Sequence, residues 1–152
     1  MIRKLLVFIK RIRIFLSWLW QQEGTPAQRA RGIAVGVFSG CFPLFGFQTI
    51  LGVWLASFFR GNHLLAVTGT WISNPFTYVP LYWFNYKVGT SILGVSTNIN
   101  DINLLPKDQL WQQGWSFSSR ILLGSTLVGL TLSSFVGLLV FIFLNQSSNF
   151  RK

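Results

Sequence analysis

Two uncharged stretches decide the fold of this chain: residues 32–59, GIAVGVFSGCFPLFGFQTILGVWLASFF, and residues 61–86, GNHLLAVTGTWISNPFTYVPLYWFNY. A third uncharged stretch, ILLGSTLVGLTLSSFVGLLVFIFL, covers residues 121–144. Each stretch exceeds the roughly 20 residues with which a helix crosses the hydrocarbon core of a bilayer. Together they predict an all-α integral membrane protein.

The composition of the 152 residues excludes several classes of protein. The net charge is +10, yet only 11% of the residues are charged and 51% are hydrophobic. A disordered basic tail would lack the apolar half, and a soluble nucleic-acid-binding domain would carry more surface charge. We therefore expect a lipid bilayer, and no nucleic acid, as the partner of this chain.

The chain is poor in residues that carry out catalysis or bind metals. It has one cysteine, one histidine and three acidic residues, Glu23, Asp101 and Asp108. These acids lie outside the apolar stretches, so neither a zinc cluster nor a Ser–His–acid triad is expected. The sequence predicts no catalytic residue, no metal and no cofactor, and therefore a protein that is not an enzyme.

Two prolines interrupt the first two stretches, because proline removes a backbone donor and clashes with the preceding helical turn. After Pro43, a new helix is predicted to start at about Gly46 or Phe47. At Pro75, a helix is predicted to start with Asn74 as its N-cap. Each stretch is then either a kinked span or a re-entrant hairpin of two short helices. The third stretch lacks proline and predicts a regular transmembrane helix.

The flanking segments complete the predicted organisation. Residues 1–24 read as a basic amphipathic helix on a surface of anionic lipids, and residues 27–94 as a membrane domain with broken helices. Residues 95–120 form a polar loop with interfacial aromatics. The transmembrane helix at 121–144 and a polar tail at 145–152 follow.

The distribution of Lys and Arg predicts the topology. Seven of them lie in residues 1–31 and three in residues 87–120. The positive-inside rule then places the N-terminus in the cytoplasm and, with an odd number of crossings, the C-terminus outside it. The location predicted is the inner (plasma) membrane, with several crossings.

Small residues four apart share one helix face and let two helices approach closely. Two such stripes predict helix packing: Gly32, Gly36 and Gly40, and Gly129, Ser133 and Gly137. The sequence leaves open whether the stripes meet each other, form a homo-oligomer or bind another membrane protein.

Polar residues gather on the C-terminal side of both breaks: Gln48, Thr49, Asn74 and Thr77. Polar groups at membrane depth are costly and often functional, and helix N-termini favour anions. The hypothesis is transport or binding of an anionic ligand, such as a lipid phosphate. The alternative is a non-enzymatic structural or assembly partner of a membrane complex or envelope enzyme, in which these side chains only cap half-helices.

The central region resembles the domain of unknown function 2062 family of small prokaryotic integral membrane proteins. The resemblance rests on the order of three pieces: Pro-x-x-Gly-x-Gln-Thr at 43–49, Arg-x-Asn at 60–62 and Asn-Pro-x-Thr at 74–77. It implies an inner-membrane domain without an established activity. Fusions of some relatives to glycosyltransferase-like domains imply a link to envelope or lipid-linked sugar metabolism.

Overall fold

The fold, taken from a computed structural model, is described for residues 21–44, 46–94 and 107–149, and for Lys10, Ile14, Ser17 and Trp18. Regular structure in these residues is helical throughout, which confirms the all-α prediction. The helices are α1 (Pro26–Gly40), α2 (Phe47–Phe58), α3 (His63–Gly69) with a 3₁₀ turn (Thr70–Ile72), α4 (Tyr78–Leu93) and α5 (Lys107–Asn149). Most of the predicted surface helix at 1–24 lies outside the described residues.

The first stretch folds back on itself as a hairpin of α1 and α2. A Cβ added to Gly52, in the middle of α2, would lie 2.7 Å from Ser39 Oγ near the end of α1. At the open end, Arg31 Nη1 donates to Phe59 O at 3.0 Å. At the tip, Gly46 adopts a φ of 81°, which suits glycine, and precedes the helix start at Phe47. Residues 32–59 therefore form two helices that pack side by side.

The second stretch continues in one direction through its break. Helix α3 runs parallel to α1. Gly32, early in α1, faces Asn62 at the start of α3, and Gly40, at the end of α1, faces Thr70 just after α3. Beyond the break, Asn85 of α4 donates to Cys41 O, just past the end of α1. The chain thus passes alongside α1 and then beyond it, so the two broken stretches differ in geometry.

The helix start predicted at Pro75 is wrong by three residues. Thr77 N donates to Asn74 O at 2.9 Å, which closes a β-turn with Pro75 at its second position. Proline suits that position because its φ is already fixed near the value required. Helix α4 begins only at Tyr78.

Helix α5 is longer than the predicted 121–144. It begins at Lys107, so the second half of the predicted polar loop is helical, and it includes the first residues of the predicted tail. In the described part of the chain, residues 114–146 form the one helix that is long and apolar enough to cross a membrane. Only 22% of the most apolar 18-residue segment of this helix is buried.

Helix α1 lies at the centre of the packing. Ile33 and Val37 of α1 form one buried cluster with Leu65 of α3 and Leu144 of α5. The partly buried side chain of Trp18 packs against the same cluster. The start of α1 and the end of α5 consequently lie at the same end of the molecule.

The two small-residue stripes pack against different helices rather than against each other. The glycines of α1 face α3, where an added Cβ on Gly36 would lie 2.9 Å from Gly69 Cα. The stripe of α5 faces the opposite side of α1, where an added Cβ on Gly137 would lie 2.9 Å from Ala34 Cβ. Both stripes therefore serve packing within this chain.

Candidate functional site

The breaks of the two apolar stretches meet at one place, which we call the junction: residues 41–44 and 46 of the hairpin tip, the first turn of α2, the break 73–77 and the first two turns of α4. Ser73 Oγ donates to Gln48 Oε1 at 3.1 Å, which joins the break to the start of α2. Tyr82 Oη donates to Phe42 O at 3.1 Å, which joins α4 to the hairpin tip. These two bonds place the breaks of the two stretches next to each other.

Of the four predicted binding residues, Gln48 and Thr49 face the other stretch. Both are half-buried on the first turn of α2. Thr49 Oγ1 lies 3.5 Å from Thr70 Oγ1, and Thr70 is only 1% exposed. Gln48 uses its carbonyl oxygen toward Ser73, and among the described residues its side-chain amide nitrogen has no hydrogen-bond partner. A donor is thus left at the start of a half-helix.

The other two predicted binding residues bond to their own loop. Asn74 Oδ1 accepts from the backbone N–H groups of Phe76 and Thr77 at 2.9 and 3.1 Å. Thr77 Oγ1 accepts from Asn74 N and donates to Ile72 O. Both side chains are exposed and their bonds hold the turn in shape. Their structural function is therefore visible, and a ligand would have to share these groups.

Three residues interrupt the helices at the junction, and each acts at a different point of the chain. Pro43 follows the C-cap of α1, where a helix cannot continue. Gly46 turns the chain into α2, and Pro75 fixes the turn before α4. As a result, the N-termini of α2 and α4 both lie at the junction, and aligned peptide dipoles give each of them a partial positive charge.

A buried polar group at the junction was not among the predicted site residues. Asn85 is fully buried; its Nδ2 donates to Cys41 O at 2.8 Å and to Ser125 Oγ at 2.9 Å. It therefore caps the C-terminal end of α1 from a different helix and links that end to α5. The available signal was an asparagine inside an apolar stretch, since a buried amide needs partners.

Two further glycines bring α4 and α5 together beside Asn85. An added Cβ on Gly89 would lie 3.0 Å from Arg120 Cα, and one on Gly124 would lie 3.0 Å from Gly89 N. The contact is between backbones, and it places Asn85 opposite Ser125 along the axis of α5. A pattern of small residues four apart within one helix does not indicate this contact, because Gly89 lies on α4 and Gly124 on α5.

The chemistry available at the junction is that of hydrogen bonding. The described residues contain no group of three or more His, Cys, Asp or Glu positioned to hold a metal ion. Amide and hydroxyl side chains, together with helix N-termini, suit the oxygens of an anion or the capping of the breaks.

Fold and junction together define an all-helical protein with two broken apolar stretches and one long apolar helix near the C-terminus. The chain belongs to the family of domain of unknown function 2062, described as an uncharacterized protein conserved in bacteria, which matches residues 9–152. The resemblance found in the sequence is thereby confirmed. No curated protein and no solved structure matches the chain.

Proposed function

We propose that this chain is a multi-pass protein of the bacterial inner membrane that binds or transports an anionic, phosphate-bearing ligand at the junction. The carrying observation is the hydrogen bond from Ser73 to Gln48, which joins the break that precedes α4 to the first turn of α2. The proposal includes no catalysis, cofactor or nucleic acid.

Exposed apolar side chains support placement in a membrane. Phe47, Trp54 and Phe58 of α2 are 62–72% exposed, and Phe76 is 91% exposed. Soluble monomers rarely leave such continuous apolar surface uncovered. At 1.5 Å per residue, α1 is only about 22 Å long, too short for a core about 30 Å thick. The hairpin of α1 and α2 is therefore proposed to be re-entrant.

The orientation follows from combining charge with the positions of the helix ends. One membrane face would carry the Lys and Arg of residues 1–31, together with Arg60, Arg151 and Lys152, which makes ten of the thirteen. The predicted odd-crossing topology also puts ten on one side, so charge alone does not separate the two. The common position of the start of α1 and the end of α5 supports an even number of crossings, with both of these ends cytoplasmic.

A reporter active only in the cytoplasm tests this orientation. Fused after Lys152, it is expected to be active, and inserted after Gly94 it is expected to be silent, because α3 and α4 together would cross the membrane once and α5 would cross back. A silent fusion after Lys152 combined with an active insertion after Gly94 would restore the odd-crossing topology.

The anion proposal is supported by what surrounds Gln48. The two helix N-termini supply partial positive charge, and the amide of Gln48 supplies donors. No carboxylate lies at the junction, whose residues 41–50, 73–77 and 78–85 contain neither Asp nor Glu. An anion entering this site would meet donors without like-charge repulsion.

Replacing Gln48 with leucine tests the site. We expect binding of short-chain phosphatidylglycerol, measured by calorimetry in detergent, to weaken about tenfold, because a donor to a charged group is lost. Inorganic phosphate serves as the second probe: binding of both identifies the phosphate as sufficient, and binding of the lipid alone identifies a lipid ligand. Gln146→Leu, an exposed position on α5, is the matched control.

If Gln48→Leu folds and binds both probes as the native chain does, the anion site is wrong. The assembly role is then preferred, since Asn74 and Thr77 already satisfy each other and the breaks would need no ligand.

A further inference from the structure

A groove of about 350 Å³ runs between the first half of α1 and the second half of α5, away from the junction. Small residues, Ala30, Ala34 and Gly137, leave the space, and Leu138 and Phe141 line it with large apolar side chains. Arg31 is the charged residue of its lining. The volume is that of a small-ligand site.

We infer that this groove binds one acyl chain of an anionic phospholipid whose phosphate is held by Arg31. The inference rests on the proposed membrane placement and not on the anion site at the junction. An apolar groove that contains one cation matches a molecule with an apolar chain and one anionic group.

The guanidinium of Arg31 is held in position with donors to spare. Its Nε donates to Ala27 O at 3.2 Å and its Nη1 to Phe59 O at 3.0 Å. An arginine side chain has five N–H donors in a fixed planar arrangement, which suits phosphate oxygens. In the described part of the chain, no carboxylate forms an ion pair with Arg31. Its charge therefore remains available to a ligand.

The position along the molecule also suits a lipid. Arg31 lies at the open end of the hairpin, where Arg60 follows α2 and most of the basic residues of the chain are expected. Long cationic side chains at such an interface extend toward lipid headgroups. Below that level, the groove between α1 and α5 would receive the acyl chain.

A second copy of this chain fits the groove less well. A symmetric dimer through this face would bring two Arg31 side chains toward each other, because each copy presents the same patch. The net charge of +10 adds to that repulsion. Charge therefore favours a lipid over a second protomer.

Native mass spectrometry with phosphatidylglycerol and phosphatidylcholine of identical acyl chains tests the inference. The native chain is expected to retain phosphatidylglycerol in preference. Arg31→Gln should weaken that preference about tenfold, by loss of a charge-assisted hydrogen bond. Arg60→Gln is the matched control, because Arg60 is exposed at the same end but does not line the groove.

A second pair of variants addresses the acyl chain while keeping the charge. Ser134 is exposed and lines the groove, so Ser134→Trp should fill it and lower the retention of both lipids. Thr131→Trp, exposed one turn earlier and outside the groove, should leave retention unchanged. Thermal unfolding in detergent verifies that each variant is folded.

Unchanged lipid preference in folded Arg31→Gln, or unchanged retention in Ser134→Trp, would overturn the inference. So would a lipid-free dimer that dissociates in Ser134→Trp, since a second copy would then occupy the groove. In the Gln48→Leu background, Arg31→Gln should still weaken the preference for phosphatidylglycerol about tenfold, which separates a failure here from a failure of the junction site.

Discussion

Replacing Gly36 with valine is expected to abolish the native fold. A Cβ at this position would meet the backbone of α3, at 2.9 Å from both Ala66 C and Gly69 Cα. Backbone atoms cannot turn aside as a flexible side chain does, so α1 and α3 must separate. We expect a loss of about 3 kcal/mol or more in the free energy of unfolding. The measurement is the yield of monodisperse protein in detergent and its thermal unfolding.

Gly114→Val is the matched control for this change. Gly114 also lies within a helix, but an added Cβ there has no atom within 4 Å. It therefore carries the same loss of helix propensity without the contact. If Gly36→Val unfolds at the same temperature as Gly114→Val, the close approach of α1 and α3 is wrong.

The second large effect is expected from Asn85→Leu. The variant keeps a side chain of similar size but removes the donor to Cys41 O and Ser125 Oγ. A buried carbonyl at the end of α1 then loses its cap. Asn85 Oδ1 itself has no partner in the described part of the chain, so its removal offsets some of the loss. The net cost is expected to be about 2 kcal/mol.

A double-mutant cycle with Ser125→Ala isolates the bond between α4 and α5. The coupling energy between the two changes is expected to be about 0.6 kcal/mol or more, as for other hydrogen bonds between membrane helices. Strictly additive effects of the two substitutions, measured by reversible unfolding in detergent, would show that Asn85 acts on Cys41 alone.

The sequence predicted one break near Pro43 and another near Pro75 because proline and glycine act locally. Pro43 and Gly46 bracket the hairpin tip, and the start of α2 at Phe47 was predicted. The pair Asn74-Pro75 is typical both of a turn and of a helix start. In the structure these residues form a turn, and α4 begins after it. The four predicted binding residues were likewise local signals: two face the other stretch and two bond within their own loop.

The family, the all-helical class and the long apolar C-terminal helix were determined by the sequence alone, because composition, apolar run length and short motifs express them directly. Only the tertiary structure decided that α1 turns back while α3 and α4 continue onward. It also decided that each glycine stripe faces a different helix and that Asn85 caps α1. These features depend on contacts between residues 25 to more than 100 positions apart, such as Gln48 with Ser73 and Ala34 with Gly137. A residue pattern indicates which face of a helix carries small or polar side chains, but the packing of the neighbouring helices determines which residues that face contacts.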